Sequence, residues 1–190
     1  MNTNTQSQSP AGPGRSQFLK LISNSASITL GIVLVAIGFM VPCARAATPV
    51  ATADQDFMLA AAQGGMTEVK LGELASTSGM RADVKEFGQM MVKDHTTIND
   101  DMKALAAQKG VTLPDSLDAK HQAKVDKMSA LTGAAFDDAY IAGMIKAHTQ
   151  DAKAFKAVAA ATQDVDIKSF LAKSIPVVEA HLQNITAMKK

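Results

Sequence analysis

From Ala53 onward, apolar residues recur at alternating spacings of three and four, the period of a helix with one buried face. A first helix is predicted from about Asp54, ending by Gly79, with Phe57, Ala61, Gly64, Glu68, Leu71 and Ala75 on its inner stripe. A second runs from about Met80 to Lys109 and puts Val84, Phe87, Met91, His95, Ile98, Met102 and Leu105 on one face, with Gly110 as its stop. Only Ser76 to Gly79 join the two, so they should be antiparallel neighbours.

After Gly110 the pattern weakens. Leu113-Pro114-Asp115-Ser116 reads as a break followed by a helix start, and residues 116–131 place only Leu117, Val125 and Met128 on a face, as a crossover arm with a short helix would. A third long helix follows from about Ala134 to Ala160, with Asp137, Ile141, Met144, His148, Asp151, Phe155 and Val158 in register. Thr162-Gln163-Asp164 makes a turn. The fourth long helix, Val165 to about Met188, aligns Ile167, Leu171, Ser174, Val178, His181, Ile185 and Met188, with a kink expected at Pro176. No stretch alternates as a strand would. The class is all-α, and two antiparallel hairpins joined by a long crossover arm carrying a short extra helix describe a ferritin-like four-helix bundle.

Residues 1–46 read differently. A polar stretch with Arg15 and Lys20 leads into an apolar core, Ile28 to Val41, and then Ala44-Arg45-Ala46. That order is the logic of a secretory signal peptide, since the apolar run falls short of the roughly 20 residues a bilayer needs. The expected organisation is a signal peptide at 1–46, a short linker at 47–53 and the bundle at 54–189. The rival readings are an uncleaved anchor, disfavoured by Ser23, Asn24, Ser25 and Ser27, and lipidation at Cys43, disfavoured by Pro42. Cleavage after Ala46 discards the lone Cys and leaves 16 basic against 18 acidic residues, a net charge near −2, in a chain suited to the periplasm or cell envelope. No membrane span is expected in it.

Composition narrows the chemistry. The whole chain is 47% apolar with 19 basic and 18 acidic residues, so no basic surface favours nucleic acid. One Cys excludes a Cys-based zinc site, an iron–sulfur cluster and an internal disulfide. No catalytic nucleophile motif or phosphate-cradling glycine loop is present, and no catalytic residue is assigned. Nine Met residues fall in the mature chain; Met91, Met102, Met144 and Met188 occupy core stripe positions, and gap-filling is preferred over copper(I) binding for them.

The informative feature is that all four stripes are interrupted near mid-length by a metal-binding residue type: Glu68, His95, His148 with Asp151, and His181. Buried without partners, each would cost on the order of 1–3 kcal/mol, so they should satisfy one another or a ligand. Helix rise and the lean of side chains toward their own N-termini allow one common height without deciding how the helices are arranged. Three imidazoles with one or two carboxylates suit zinc, copper, nickel or iron rather than calcium or magnesium. Asp94, turned about 100° from the stripe, reads as solvent-facing or as a support behind a ligand. Tyr140 is read as core with a hydroxyl able to bond into the site, and His121 as peripheral. A small cofactor between the helices, such as a b-type haem held by two His or by His and Met, is an alternative occupant, and the competing reading is a metal-free hydrogen-bond network in a structural or stress-related envelope protein. An enzymatic reading would need an open coordination position. Protein partners and self-association stay open.

The run Glu68-Val69-Lys70-Leu71-Gly72-Glu73-Leu74-Ala75, with Met91-Val92-Lys93-Asp94-His95, Phe136-Asp137, Tyr140-Ile141, His148 and His181, resembles the bacterial domain of unknown function 4142 family over residues 53–188. The resemblance implies an exported, ferritin-like helical protein of unestablished activity. It matches Glu68, Asp94, His95, Tyr140, His148 and His181 to that family's recurring polar positions. Val92 and Val178 stand where di-iron bundles carry the carboxylates of Glu-x-x-His pairs, which argues against ferroxidase chemistry.

Overall fold

The computed structural model describes residues 50–189, which form five helices and, among those residues, no strand: α1 (Thr52–Ser78), α2 (Ala82–Lys109), α3 (Ala119–Ser129), α4 (Gly133–Ala161) and α5 (Val165–Ala187). The segment read as a signal peptide, 1–46, lies outside the described residues, as do residues 47–49 of the expected linker. α1 begins at Thr52, two residues into that linker's remainder. No helix among the described residues is long and apolar enough to cross a membrane.

The helix ends follow local chemistry. Gly110 closes α2 at φ 69°, the left-handed conformation glycine adopts without a Cβ penalty. Asp164 caps α5 by accepting from the Asp166 and Ile167 N–H groups, and Asp118 caps α3 from His121 N–H. α2 starts at Ala82 rather than at Met80, where the periodicity put it. The reason is tertiary: the buried Asp137 carboxylate of α4 accepts from the Met80 and Arg81 N–H groups at 2.9 and 2.8 Å, holding Arg81 extended at ψ 141°. Pro176 sits inside α5 without ending it.

α1 packs on α2, and α4 on α5; α2 also meets α5, and α1 meets α4. Every one of these pairings is antiparallel, as paired residues along them show: Gly72 with Gly88 and Glu68 with His95 for α1 and α2, Asp54 with Thr162 and Glu68 with His148 for α1 and α4, Lys109 with Asp166 and Asp94 with His181 for α2 and α5. The α1–α2 contact is backbone-close, because a Cβ built on Gly88 would stand 2.7 Å from Gly72 O. The arm between α2 and α4 is pinned to α1 by Gln63, whose side chain donates to Ser116 O and accepts from Asp118 N–H. α3 contributes Val125 to the core.

Two apolar clusters result. Phe57, Met58, Met102, Phe155, Ile167 and Leu171 fill one end, and Leu71, Val84, Phe87, Phe136, Tyr140 and Ile185 the other. Between them lies a polar layer.

Candidate metal centre

His95 of α2, His148 of α4 and His181 of α5 occupy that layer, all buried. Their ring centres are 5.2 Å (His95 to His181), 5.4 Å (His148 to His181) and 5.6 Å (His95 to His148) apart, a nearly equilateral triangle. Each offers a ligand atom within 4.8 Å of the others'. Phe87 covers the triangle with its ring edge-on, 6.5 Å from His148 and 6.1 Å from His181.

The outer nitrogen of each ring is held. His148 Nδ1 donates to Met144 O at 3.0 Å; a carbonyl only accepts, so the proton is on Nδ1 and the Nε2 lone pair is free. His95 Nδ1 is hydrogen-bonded to Glu68 Oε2, and His181 Nε2 to Asp94 Oδ2, each at 3.0 Å. The other nitrogens, His95 Nε2, His148 Nε2 and His181 Nδ1, are buried without a hydrogen-bond partner, and so are Glu68 Oε1 and Tyr140 Oη. Oε1 lies 3.7 Å from His148 Nε2. Five unpartnered polar atoms around one layer are unusual in a folded core, where nearly all such atoms are paired.

Burial sets the protonation. It pushes His148 down to about 4, with His181 adding to the effect and the Met144 bond opposing it. His95 is lowered well below its ordinary value by burial and by its two imidazole neighbours. Both rings are therefore neutral at neutral pH, the state in which imidazole binds a metal. Burial, then the Asp151 charge, raises Glu68 well above the usual carboxylate range, and burial likewise raises Asp151. The Tyr140 phenol is raised by burial and by the Glu68 charge.

Of the residues singled out in the sequence, the fold brings His95, His148, His181 and Glu68 together. Asp151 is half-buried beside Glu68, away from the imidazole triangle. His121 stands on α3 against Asp118, apart from the layer. Asp94 supports His181. The Met144 carbonyl behind His148 and the Phe87 cover escaped sequence reasoning; the i−4 spacing of Met144 and the Phe87 stripe position were the available signals.

One cleft reaches this layer and a groove runs behind it. A cleft of about 100 Å³ has Gly64, Gly65, Glu68, His95, Asn99 and Asp151 among its lining residues, with Phe57, Met102 and Phe155 as apolar wall. A shallower groove of about 210 Å³ between α2 and α5 runs past Asp94, Thr97, Asp101 and Lys173.

Over residues 40–188 the chain matches the family described as Domain of unknown function (DUF4142), and it belongs to that family. No curated protein matches it. Among solved structures it is similar to CopM in the Cu(I)-bound form, at a TM-score of 0.60 and 17% identity, covering 71% of this chain and 94% of that one. At that identity the likeness shows a shared helical fold.

Proposed function

We propose that this member of the domain of unknown function 4142 family is an exported protein that binds one transition-metal ion in its core, through His95, His148 and His181. Glu68 Oε1 completes the donor set, and Asp151 backs Glu68 from the cleft side. The observation that carries the reading is that three buried imidazoles each offer a ligand atom within 4.8 Å of the others', each with one unpartnered nitrogen and the opposite nitrogen fixed by Glu68, Met144 O or Asp94. Such supports behind metal-binding imidazoles set the tautomer and the ring direction.

Distances support it. With metal–nitrogen bonds of about 2.1 Å and ring nitrogens about 1.1 Å from the ring centre, three imidazoles on one ion have centres roughly 5.2–5.5 Å apart. The triangle here measures 5.2 to 5.6 Å. Zinc, copper, nickel and iron all accept imidazole; likeness to a Cu(I)-bound bundle makes copper the first ion to test. The two helical hairpins joined through α3 favour a ferritin-like four-helix arrangement, and the signal-like residues 1–46 favour the periplasm or envelope. A metal-free network accounts less well for the layer, because each unpartnered buried atom costs about 1–3 kcal/mol.

Tyr140 gives a direct assay, being the chain's single Tyr in a protein without Trp. Titration of the mature protein with Cu(I) under reductant, Cu(II) and Zn(II), read by Tyr140 fluorescence and elemental analysis, should show one ion per chain. A His95→Ala/His148→Ala variant that keeps its helical spectrum should bind none. Wild-type protein that stays metal-free and gains no thermal stability with any of these ions refutes the proposal.

A further inference from the structure

We propose that the ion reaches the three imidazoles through the cleft that Glu68 and Asp151 share, and that this carboxyl pair forms a second, transient cation position at the cleft's inner end. The inference rests on the metal reading above and adds a route and a capture step to it.

The two openings are not equivalent. The α2–α5 groove arrives at Asp94, whose Oδ2 is bound to His181 Nε2, the outward nitrogen. An ion entering there meets the back of a ring. The cleft arrives at Glu68 and His95 themselves. Glu68 is only 7% exposed; its carboxyl is within hydrogen-bonding reach of the Asp151 carboxyl, and its Oε1, which meets no other donor, lies 3.7 Å from the unpartnered Nε2 of His148. An ion on Oε1 is therefore one ligand exchange from the imidazole layer. Asp151, half-buried and adjoining Glu68, provides a second carboxyl on the solvent side of it. Lys124 is the cation that acts on both carboxyls.

Carboxylate oxygens are the less suited ligands for these ions and imidazole nitrogens the better suited, so an ion held by the carboxyl pair is drawn on to the three imidazoles. The wall nearest α1 is built of small residues, and a Cβ added at Gly64 would meet nothing within 4 Å. A larger side chain there fills the passage without disturbing the helix, which makes the route testable apart from the site.

The experiment is stopped-flow uptake of Cu(II) by the metal-free mature protein, followed through Tyr140 fluorescence, beside the equilibrium affinity for the same ion. Gly64→Leu should slow uptake about tenfold or more while leaving the affinity within about twofold of wild type. Asp151→Asn should slow uptake more than it weakens binding. Asp94→Asn should weaken binding at an unchanged uptake rate. Wild-type uptake rates in both Gly64→Leu and Asp151→Asn overturn the route, as does an Asp94→Asn variant that is the slow one. Wild-type protein that takes up no ion overturns the metal reading itself, and this inference with it.

Discussion

Acidifying the metal-free protein interrogates the buried imidazoles one at a time. His148 is fully buried, and its pKa falls from an ordinary 6.5 to about 4, chiefly through burial. Above the unfolded value both states are neutral and His148 has no effect on stability. Between 6.5 and about 4 the unfolded chain takes up a proton that the folded chain refuses, so stability falls as pH falls. A gap of about 2.5 units corresponds to about 3 kcal/mol in full, of which about 2 kcal/mol is lost by about pH 5. His95, lowered for the same reason, adds to the loss. Glu68 and Asp151 oppose it, because their raised values let the folded chain bind protons first as the pH drops. The assay is therefore a difference: urea unfolding by circular dichroism at about pH 7, 6 and 5, with chelator, for wild type and His148→Gln. The variant should lose about 2 kcal/mol less than wild type over that range. Parallel pH profiles would refute the assignment of His148 as a ring kept neutral by the fold.

Further consequences concern the supports and the packing. Asp94→Asn removes the carboxylate behind His181 and should weaken metal binding about 10- to 100-fold, measured by competition with a chromogenic chelator; unchanged affinity would deny Asp94 that role. Gly88→Ala sets a Cβ 2.7 Å from Gly72 O and Ser76 N and should cost about 1–3 kcal/mol in urea unfolding, since neither neighbour is a side chain that can swing away. Asp137→Ala strips the acceptor from the Met80 and Arg81 N–H groups and should cost about 1.5–3 kcal/mol; a smaller loss would mean water replaces it.

Much of the architecture was legible because it is periodic. The stripes Val84, Phe87, Met91, His95, Ile98, Met102, Leu105 and Ile167, Leu171, Ser174, Val178, His181, Ile185, Met188 are buried as their spacing requires, except that Ile98 and Met188 are half-buried. Gly110 and Asp164 end and begin helices as their chemistry dictates. Misses occurred where a distant residue intervened. Asp137 holds the chain extended at Arg81 and shortens α2, and Ala61 and Gly64 are only half-buried because Ala62 and Gly65 share the inner face. Asp151 follows the register of His148 yet stands beside Glu68, since three residues turn a helix about 300°, short of a full turn.

What the sequence determined by itself is the set of helices and most of their buried faces, with Glu68, His95, His148 and His181 on them at heights that allow one common level. Those depend on residue spacing along one chain, and a spacing of three and four commits a residue to one face whatever packs against it. Only the tertiary structure decided which nitrogen of each ring points inward, which residue stands behind it, and which of two openings reaches the layer. Ring direction is set by hydrogen bonds to partners as remote as Asp94 for His181, 87 residues away, and no local periodicity encodes them. An opening, likewise, exists only between helices already packed, where small residues such as Gly64 leave space that the sequence records merely as a missing side chain.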